Sequence, residues 1–416
     1  MSFELPQKCD PQEELKALII LPHEFFSIGG IQASCRRILL ELSDKGWGGW
    51  VVYNASQKSD VNKFHSFCLI PIEQPMSAER MTMFDYFFKS FIRHLRLDIK
   101  RHSIVREIVK NNSLGTIWIY GPFGWMLGAN PISIIRFRLA SRTADARLVI
   151  TFGGLDSTFH RRWLGRRLLS SEEQFQAMMA DVVTVPDHHL IESFPKWMRN
   201  DVMWIPNYVD TNLFSPSDDP VIENSVLFVG RLTLEKGIDI FVRAIDILNT
   251  RGLRNFRPII VGSGVEEDKV KEFLSQKGVK VDFKGGVAQE LLPEIYRQAS
   301  IFVNPMRIQG IGNTTLEAMA CGKCIIRSKI GEDNRPIEDG ENGLLFRDGD
   351  AEDLARVIEF ALKNGDIRKR IGENARRLAL ERFSSAIEPK AIIEILTNGL
   401  RKEKRKDKQK PRWVNV

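Results

Sequence analysis

Apolar positions in this chain fall into two kinds of run. Short, nearly continuous runs such as Ala17–Leu21, Trp50–Tyr53, Thr116–Tyr120, Leu148–Phe152 and Val182–Val185 have the length and β-branched content of strands buried on both faces. Between them lie stretches with apolar residues at helical spacing, such as Leu39, Leu40 and Leu42 after Gly29-Gly30. From Ser225 the alternation restarts. Ser225–Val229, Pro258–Val261, Val279–Phe283, Ser300–Asn304, Lys323–Ser328 and Gly343–Phe346 read as strands. The intervals between them, together with 351–362 and 366–382, read as helices. Strand and helix in alternation predict parallel sheets, and two such series predict an α/β chain with two Rossmann-like domains facing a cleft. The turn-rich string Ser215–Pro220 reads as the linker region.

Length agrees, since 416 residues exceed one ordinary core. A composition of 43% hydrophobic and 27% charged residues is that of a globular chain, and no apolar run is long enough to span a bilayer. Met1–Pro6 lacks the basic and apolar regions of a secretory leader, and the five cysteines are scattered, so a cytoplasmic setting is expected. The net charge of +7 is uneven: 401–416 holds eight Lys/Arg against Glu403 and Asp407, leaving a nearly neutral body. That excludes a general nucleic-acid surface and points to a local basic tail. Residues 81–106 are aromatic and then basic, and two readings are open: a core helix with a basic edge, or one lying on a membrane surface.

Candidate chemistry centres on 309–322. Gly310 and Gly312 form a turn that a ligand's phosphate can approach, and a helix follows with Asn313 or Thr314 as N-cap, Glu317 in its first turn and Gly322 as its stop. Thr314–Glu317 also fits a capping box in which the glutamate only closes the helix. Arg231 and Lys236 lie on the loop after the first strand of the second half, the ligand edge of a doubly wound sheet. No paired carboxylates stand near them, so no metal or other cofactor is expected. Cys321 and Cys324 form a CxxC with no second pair to complete a zinc site.

Several strings together resemble one family. They are Phe228–Leu232 with Glu235–Gly237, Val261–Glu266, Val281–Gly285, Tyr296 with Ala299–Pro305, Gly310 with Leu316–Gly322, and Gly340–Phe346. They follow the joining segment Pro206–Phe214, and the run is similar to the donor-binding domain of retaining GT-B glycosyltransferases of glycosyltransferase family 4. The resemblance implies an N-terminal acceptor-side domain over 1–205 and a nucleotide-sugar domain over 206–383. It also implies a helix over 384–400 crossing back, before the disordered tail 401–416.

By resemblance Arg231 and Lys236 hold the donor diphosphate, and Glu317 binds the ribose hydroxyls. The backbone of Gly310, Ile311, Gly312, Asn313 and Thr314 holds sugar and phosphate. Gly29 and Gly30 meet the diphosphate from across the cleft. Gly262 and Lys284 complete the donor-binding set, the loop after Phe283 bordering the base. The implied donor is a UDP or GDP sugar, and the acceptor a carbohydrate or lipid-linked hydroxyl, with possible peripheral membrane contact. Gln309 stands where the family usually has a glutamate, and Phe152 near its usual histidine, with His160 nearby among arginines. These departures keep two alternatives in view: a nucleotide-sugar binder without turnover, and a nucleotide-sugar epimerase.

Overall fold

The structure is a computed structural model describing residues 15–24, 30–55, 62–73, 99–120, 131–152, 171–217, 221–307, 310–330 and 336–384. These fall into two compact units that divide between Pro206 and Asn207.

The first unit is an eight-stranded sheet in the order β3-β4-β2-β1-β5-β6-β7-β8. β1 (Leu15–Glu24) pairs in parallel with β2 (Trp47–Ala55) and β5 (Thr116–Tyr120). Strands β4 (Phe67–Glu73), β6 (Arg147–Thr151), β7 (Val182–Val185) and β8 (Val202–Trp204) extend it in parallel. The edge strand β3 (Asn62–Phe64) is antiparallel to β4. This hairpin departs from the all-parallel expectation; its strands join through a tight turn at His65, whose φ is 53°.

Helix α1 (Gly30–Asp44) packs on β2, while α2 (99–111), α3 (Pro131–Thr143) and α4 (Ser171–Met179) bury Ile104, Phe137 and Ala177 in a core with Leu18, Trp50 and Ile150. The aromatic part of 81–106, the predicted crossing helix and the basic tail lie outside the described residues. Among the described residues no helix is long and apolar enough to cross a membrane.

The second unit is a six-stranded parallel sheet in the order β11-β10-β9-β12-β13-β14. Its strands are β9 (Ser225–Val229), β10 (Arg257–Val261), β11 (Asp282–Gly285), β12 (Ile301–Asn304), β13 (Cys324–Lys329) and β14 (Leu344–Arg347). Successive side chains in a strand point to opposite faces. Val226 and Phe228 therefore join the core under α5 (Ile238–Thr250), α6 (Glu267–Gln276) and α9 (Ala351–Lys363). Leu227 joins a second core under α7 (Leu292–Gln298), α8 (Asn313–Ala320) and α10 (Gly365–Arg382). The sheet is thus covered on both sides, as its strands' unbroken apolar content requires.

The string expected to be a linker is not slack where it is described. Asp210 closes a turn by accepting from the N–H groups of Asn212 (2.9 Å) and Leu213 (3.0 Å). Arg297 donates to the carbonyls of Leu213 (3.0 Å) and Ser215 (2.9 Å), and Arg376 to those of Phe214 (2.8 Å) and Ala320. Turn-forming residues mark a change of direction; long-range arginine contacts then hold this one against the second unit. Among the described cysteines, Cys35, Cys321 and Cys324 are free and buried, whereas Cys68 is disulfide-bonded, so wide spacing did not mean that none pairs.

Helix α10 supports α8 at a point with no room for a side chain. A Cβ at Gly372 would meet the carbonyl oxygen of Gly322 at 2.2 Å. Alanine in a helix interior ordinarily stabilises relative to glycine. Here Gly372→Ala is expected to lower unfolding free energy by about 1–3 kcal/mol, as overpacking does. Urea denaturation checks this, and a gain in stability would contradict the close packing of α10 on the end of α8.

Candidate functional site

In the second sheet the chain begins at β9, builds outward to β10 and β11, then returns to the other side of β9 with β12. Strand order therefore reverses between β9 and β12, which pair side by side through Ile301–Val226 and Phe302–Leu227. Loops leaving the carboxyl ends of two such strands diverge to opposite faces and leave a crevice between them, where ligands bind in open α/β sheets.

The loop after β9 carries both predicted cations. Leu232 is fully buried and anchors it, donating its N–H to Ser263 O (2.9 Å) and accepting from Glu266 N (3.0 Å). Arg231 is exposed at 63% of its side chain and Lys236 is half-buried at 29%. One oxygen of Glu235 lies 3.8 Å from the Arg231 guanidinium and 3.9 Å from the Lys236 ammonium. The ammonium also lies 3.3 Å from the Met306 sulfur. Burial pulls the Lys236 pKa below the ordinary lysine value, with Glu235 opposing and Arg231 assisting. The loop ends at Gly237, whose φ of 74° and position 1.9 Å (from a built Cβ) below Pro305 O admit no side chain.

The segment after β12 is fastened to that loop. Ser328 Oγ donates to Met306 O, and Arg307 N–H donates to Glu235 O at 3.0 Å. The Arg307 guanidinium makes two 2.7 Å bonds to the Asp239 carboxylate and a further one to Leu234 O. Burial pulls the Asp239 carboxyl up, but Arg307 outweighs it and holds the group below the usual range.

Residues 308 and 309 lie outside the described set, so the position of Gln309 is not described. Gly310 follows with a φ of 105°, and Ile311 O accepts from Asn207 Nδ2 at 3.2 Å. At Gly312 the backbone is extended and a Cβ would meet nothing within 4 Å among the described residues. Packing among the described residues does not require glycine there.

Helix α8 corrects two expectations. Its N-cap is Gly312, with no side-chain cap bond, rather than Asn313 or Thr314. Glu317 is the fifth helical residue, not in the first turn; it is 3% exposed, and its carboxylate accepts from the Tyr296 hydroxyl at 3.0 Å. The capping box does not form because Thr315, Leu316 and Glu317 turn into the core, where Asn304 Nδ2 donates to Thr315 Oγ1 at 2.7 Å. Burial and the Glu317 charge raise the Tyr296 pKa well above the ordinary tyrosine value, so the phenol remains a donor. The first turn of α8 carries no acidic residue. Thr315 and Leu316 donate their N–H groups to Gly312 O at 3.0 and 3.2 Å, and the positive dipole end of the helix carries no acidic side chain of its own.

Arg231, Lys236, Gly310, Ile311 and Gly312 thus lie on the two loops flanking the reversal, and Asn313 and Thr314 open the helix that follows the second. Gly262 belongs to the next loop, and a Cβ there would lie 1.9 Å from Gly230 O, so glycine is required by loop packing alone. Lys284 sits on the edge strand β11, ion-paired to Asp282 at 3.0 Å and separated from β9 by β10. In the first unit Gly30 opens α1, while Gly29 and His160 lie outside the described residues. Phe152 is a core residue, fully buried and edge-on to Phe194 at 5.6 Å. Among the described residues no group of three His, Cys, Asp or Glu side chains clusters as a metal site. Burial pushes the thiols of Cys321 and Cys324 up to about 12.

Asp239, Tyr296 and Arg307 were not among the expected site residues. Tyr296 and Glu317 are 21 positions apart, and Asp239 and Arg307 are 68 apart, so no local periodicity links them.

A model of the family "Glycosyl transferases group 1" matches residues 211–378. A D-inositol 3-phosphate glycosyltransferase of Acidothermus cellulolyticus is 34% identical over 180 residues, 39% of this chain and 40% of that protein. An uncharacterized glycosyltransferase of Methanocaldococcus jannaschii is 32% identical over 164 residues, 39% of this chain and 42% of its own length. The match thus spans well under two thirds of these relatives. Sucrose-phosphate synthase from Thermosynechococcus elongatus superposes with a TM-score of 0.71 at 18% identity, covering 92% of this chain and 99% of that one. Anabaena HepE in complex with UDP gives 0.67 at 18% identity, over 92% and 100%. Residues 211–378 thus match the glycosyl transferases group 1 model, and the two α/β units have the Rossmann-like folds of the GT-B class.

Proposed function

We propose that this protein transfers a sugar from a nucleoside-diphosphate sugar to a hydroxyl acceptor, with retention at the anomeric carbon. The observation that carries the reading is the meeting, at the β9/β12 reversal, of a loop bearing two cations and a helix start free of acidic residues in its first turn. HepE binding UDP on the same fold supports the donor class.

In this reading Arg231 and Lys236 bind the diphosphate and offset the charge that develops as it leaves. N–H groups of the 310–314 turn hold the phosphate and the sugar. Gly312 supports this reading: packing among the described residues does not require glycine there, and its absent side chain would let a ligand approach the backbone closely. Glu317 reads the ribose hydroxyls. A carboxylate offers about four lone-pair sites, and the bond from Tyr296 orients the group. Gln309 contributes shape and an amide oxygen to the sugar.

The bond from the anomeric carbon to the diphosphate oxygen breaks, its electron pair staying on the phosphate. The acceptor oxygen bonds to that carbon on the same face, and its proton passes to the departing phosphate oxygen. No protein base, metal or cofactor is assigned a step. The acceptor is a carbohydrate or lipid-linked hydroxyl in polysaccharide or glycolipid synthesis. We place the reaction in the cytoplasm, with the basic tail available to an anionic membrane surface.

A thermal-shift panel of UDP, GDP, ADP and their sugars tests the donor class. A true donor at about 100 times its dissociation constant adds roughly 2.7 kcal/mol of stability; no shift with any of them overturns the reading. Release of free nucleoside diphosphate then separates a transferase from a binder. Lys236→Ala is expected to lower turnover by about 10²–10³-fold with the fold intact, as loss of one preorganised charge-stabilising group does. Unchanged turnover would remove Lys236 from the mechanism. Tyr296→Phe is expected to cost about 1.5–3 kcal/mol in urea denaturation, the worth of a hydrogen bond to a charged group. Equal stability of the two proteins would show that the phenol does not hold the Glu317 carboxylate.

A further inference from the structure

We propose that Asp239 and Arg307 form a positioning pair that sets the spacing between the Lys236 loop and the glycine turn, so that both grip one diphosphate. The proposal rests on the diphosphate reading above and deepens it.

Asp239 is the second residue of α5, three positions after Lys236, and Arg307 lies three positions before Gly310. The pair therefore joins the two halves of the candidate site near their ligand-facing ends, not in the core beneath. Its geometry is restrictive: two bonds of 2.7 Å between guanidinium and carboxylate, a third from the guanidinium to Leu234 O, and one of 3.0 Å from Arg307 N–H to Glu235 O. A planar fork on a carboxylate fixes direction as well as distance, which an ammonium cannot do. The two segments are also in backbone contact, since Gly237 leaves no room for a Cβ under Pro305 O. The Lys236 ammonium rests at 3.3 Å on Met306, the residue before Arg307. Rotation of Arg307 away from Asp239 therefore moves the support beneath Lys236 and the entry to the glycine turn together.

The plainer account is that Asp239 complements the dipole of α5 and Arg307 is its partly buried ion-pair partner, contributing only modest stability. The two accounts differ in what the ligand feels. Lost stability alone leaves a folded variant with ordinary affinity for diphosphate, whereas lost positioning weakens the phosphate contacts and spares those to the nucleoside.

Isothermal titration of the full chain with UDP, GDP and ADP, each against its own nucleoside, makes the distinction. Arg307→Lys keeps the charge and removes the fork; Asp239→Asn keeps the shape and removes the charge. Each is expected to raise the diphosphate dissociation constant about tenfold while the nucleoside value stays within about twofold. Either variant combined with Lys236→Ala should weaken binding by clearly less than the sum of the two single losses, because the pair acts in part through that lysine. The exchange Asp239→Arg with Arg307→Asp should recover part of the loss. Equal effects on nucleoside and diphosphate, no effect on either, or full additivity with Lys236→Ala would overturn the proposal. If a single variant fails to fold, the other and the exchange give the same comparison. If Lys236→Ala itself leaves diphosphate affinity unchanged, or the parent protein binds none of the probes, the diphosphate reading has failed and the positioning role falls with it. If Lys236→Ala weakens binding and the pair variants do not, only the positioning role fails.

Discussion

A parallel sheet sends every strand's carboxyl end to the same edge, and in the second unit the chain crosses from one side of β9 to the other exactly once. Everything in the candidate site follows from that reversal. The loops leaving β9 and β12 start from hydrogen-bonded neighbours and then part, one toward α5 and one toward α8 on the opposite face. The crevice needs no special sequence to open it. Sequence decides only what lines it: two cations on one wall, a glycine turn and a helix start on the other.

The electrostatics of that crevice depend as much on where acids are absent as on where cations are present. A helix start binds an anion poorly when its own first turn supplies a carboxylate. In α8 the nearest carboxylate, Glu317, is turned inward and held by Tyr296, so the dipole's positive end is not cancelled locally. On the facing loop the balance is closer, with Glu235 within 4 Å of both cations. That carboxylate keeps Arg231 and Lys236 near each other and partly offsets the burial of the lysine. An incoming diphosphate, carrying more charge than one carboxylate, can replace it as their common partner.

Much of this was legible in the chain. Buried strands read correctly because an unbroken apolar run between turn residues has few other uses, as at Thr116–Tyr120 and Ser225–Val229. The stop of α8 at Gly322 and the helices Ala351–Lys363 and Gly365–Arg382 read correctly for similarly local reasons. Local logic failed where a distant partner competed. Thr314–Glu317 has the spacing of a capping box, but Tyr296 offered the glutamate a buried hydroxyl. Ser215–Pro220 has the composition of a linker, but Arg297 took up the carbonyl of its first residue and Arg376 that of Phe214 just before it. The edge strand β3 of the hairpin was missed because three residues are too few to show a period.

By itself, then, the sequence determined the class of fold, the order of its elements, and the residue types at the two loops, because short-range periodicity and turn chemistry act within a few positions. It did not determine which side chain serves which neighbour. The inward turn of Glu317, the loop packing that demands glycine at 262, and the bidentate Asp239–Arg307 pair were decided only when the sheet brought together segments as many as 68 residues apart. The physical reason is that a hydrogen-bonding side chain is placed by the partner the fold brings to it, and that partner has no fixed spacing along the chain.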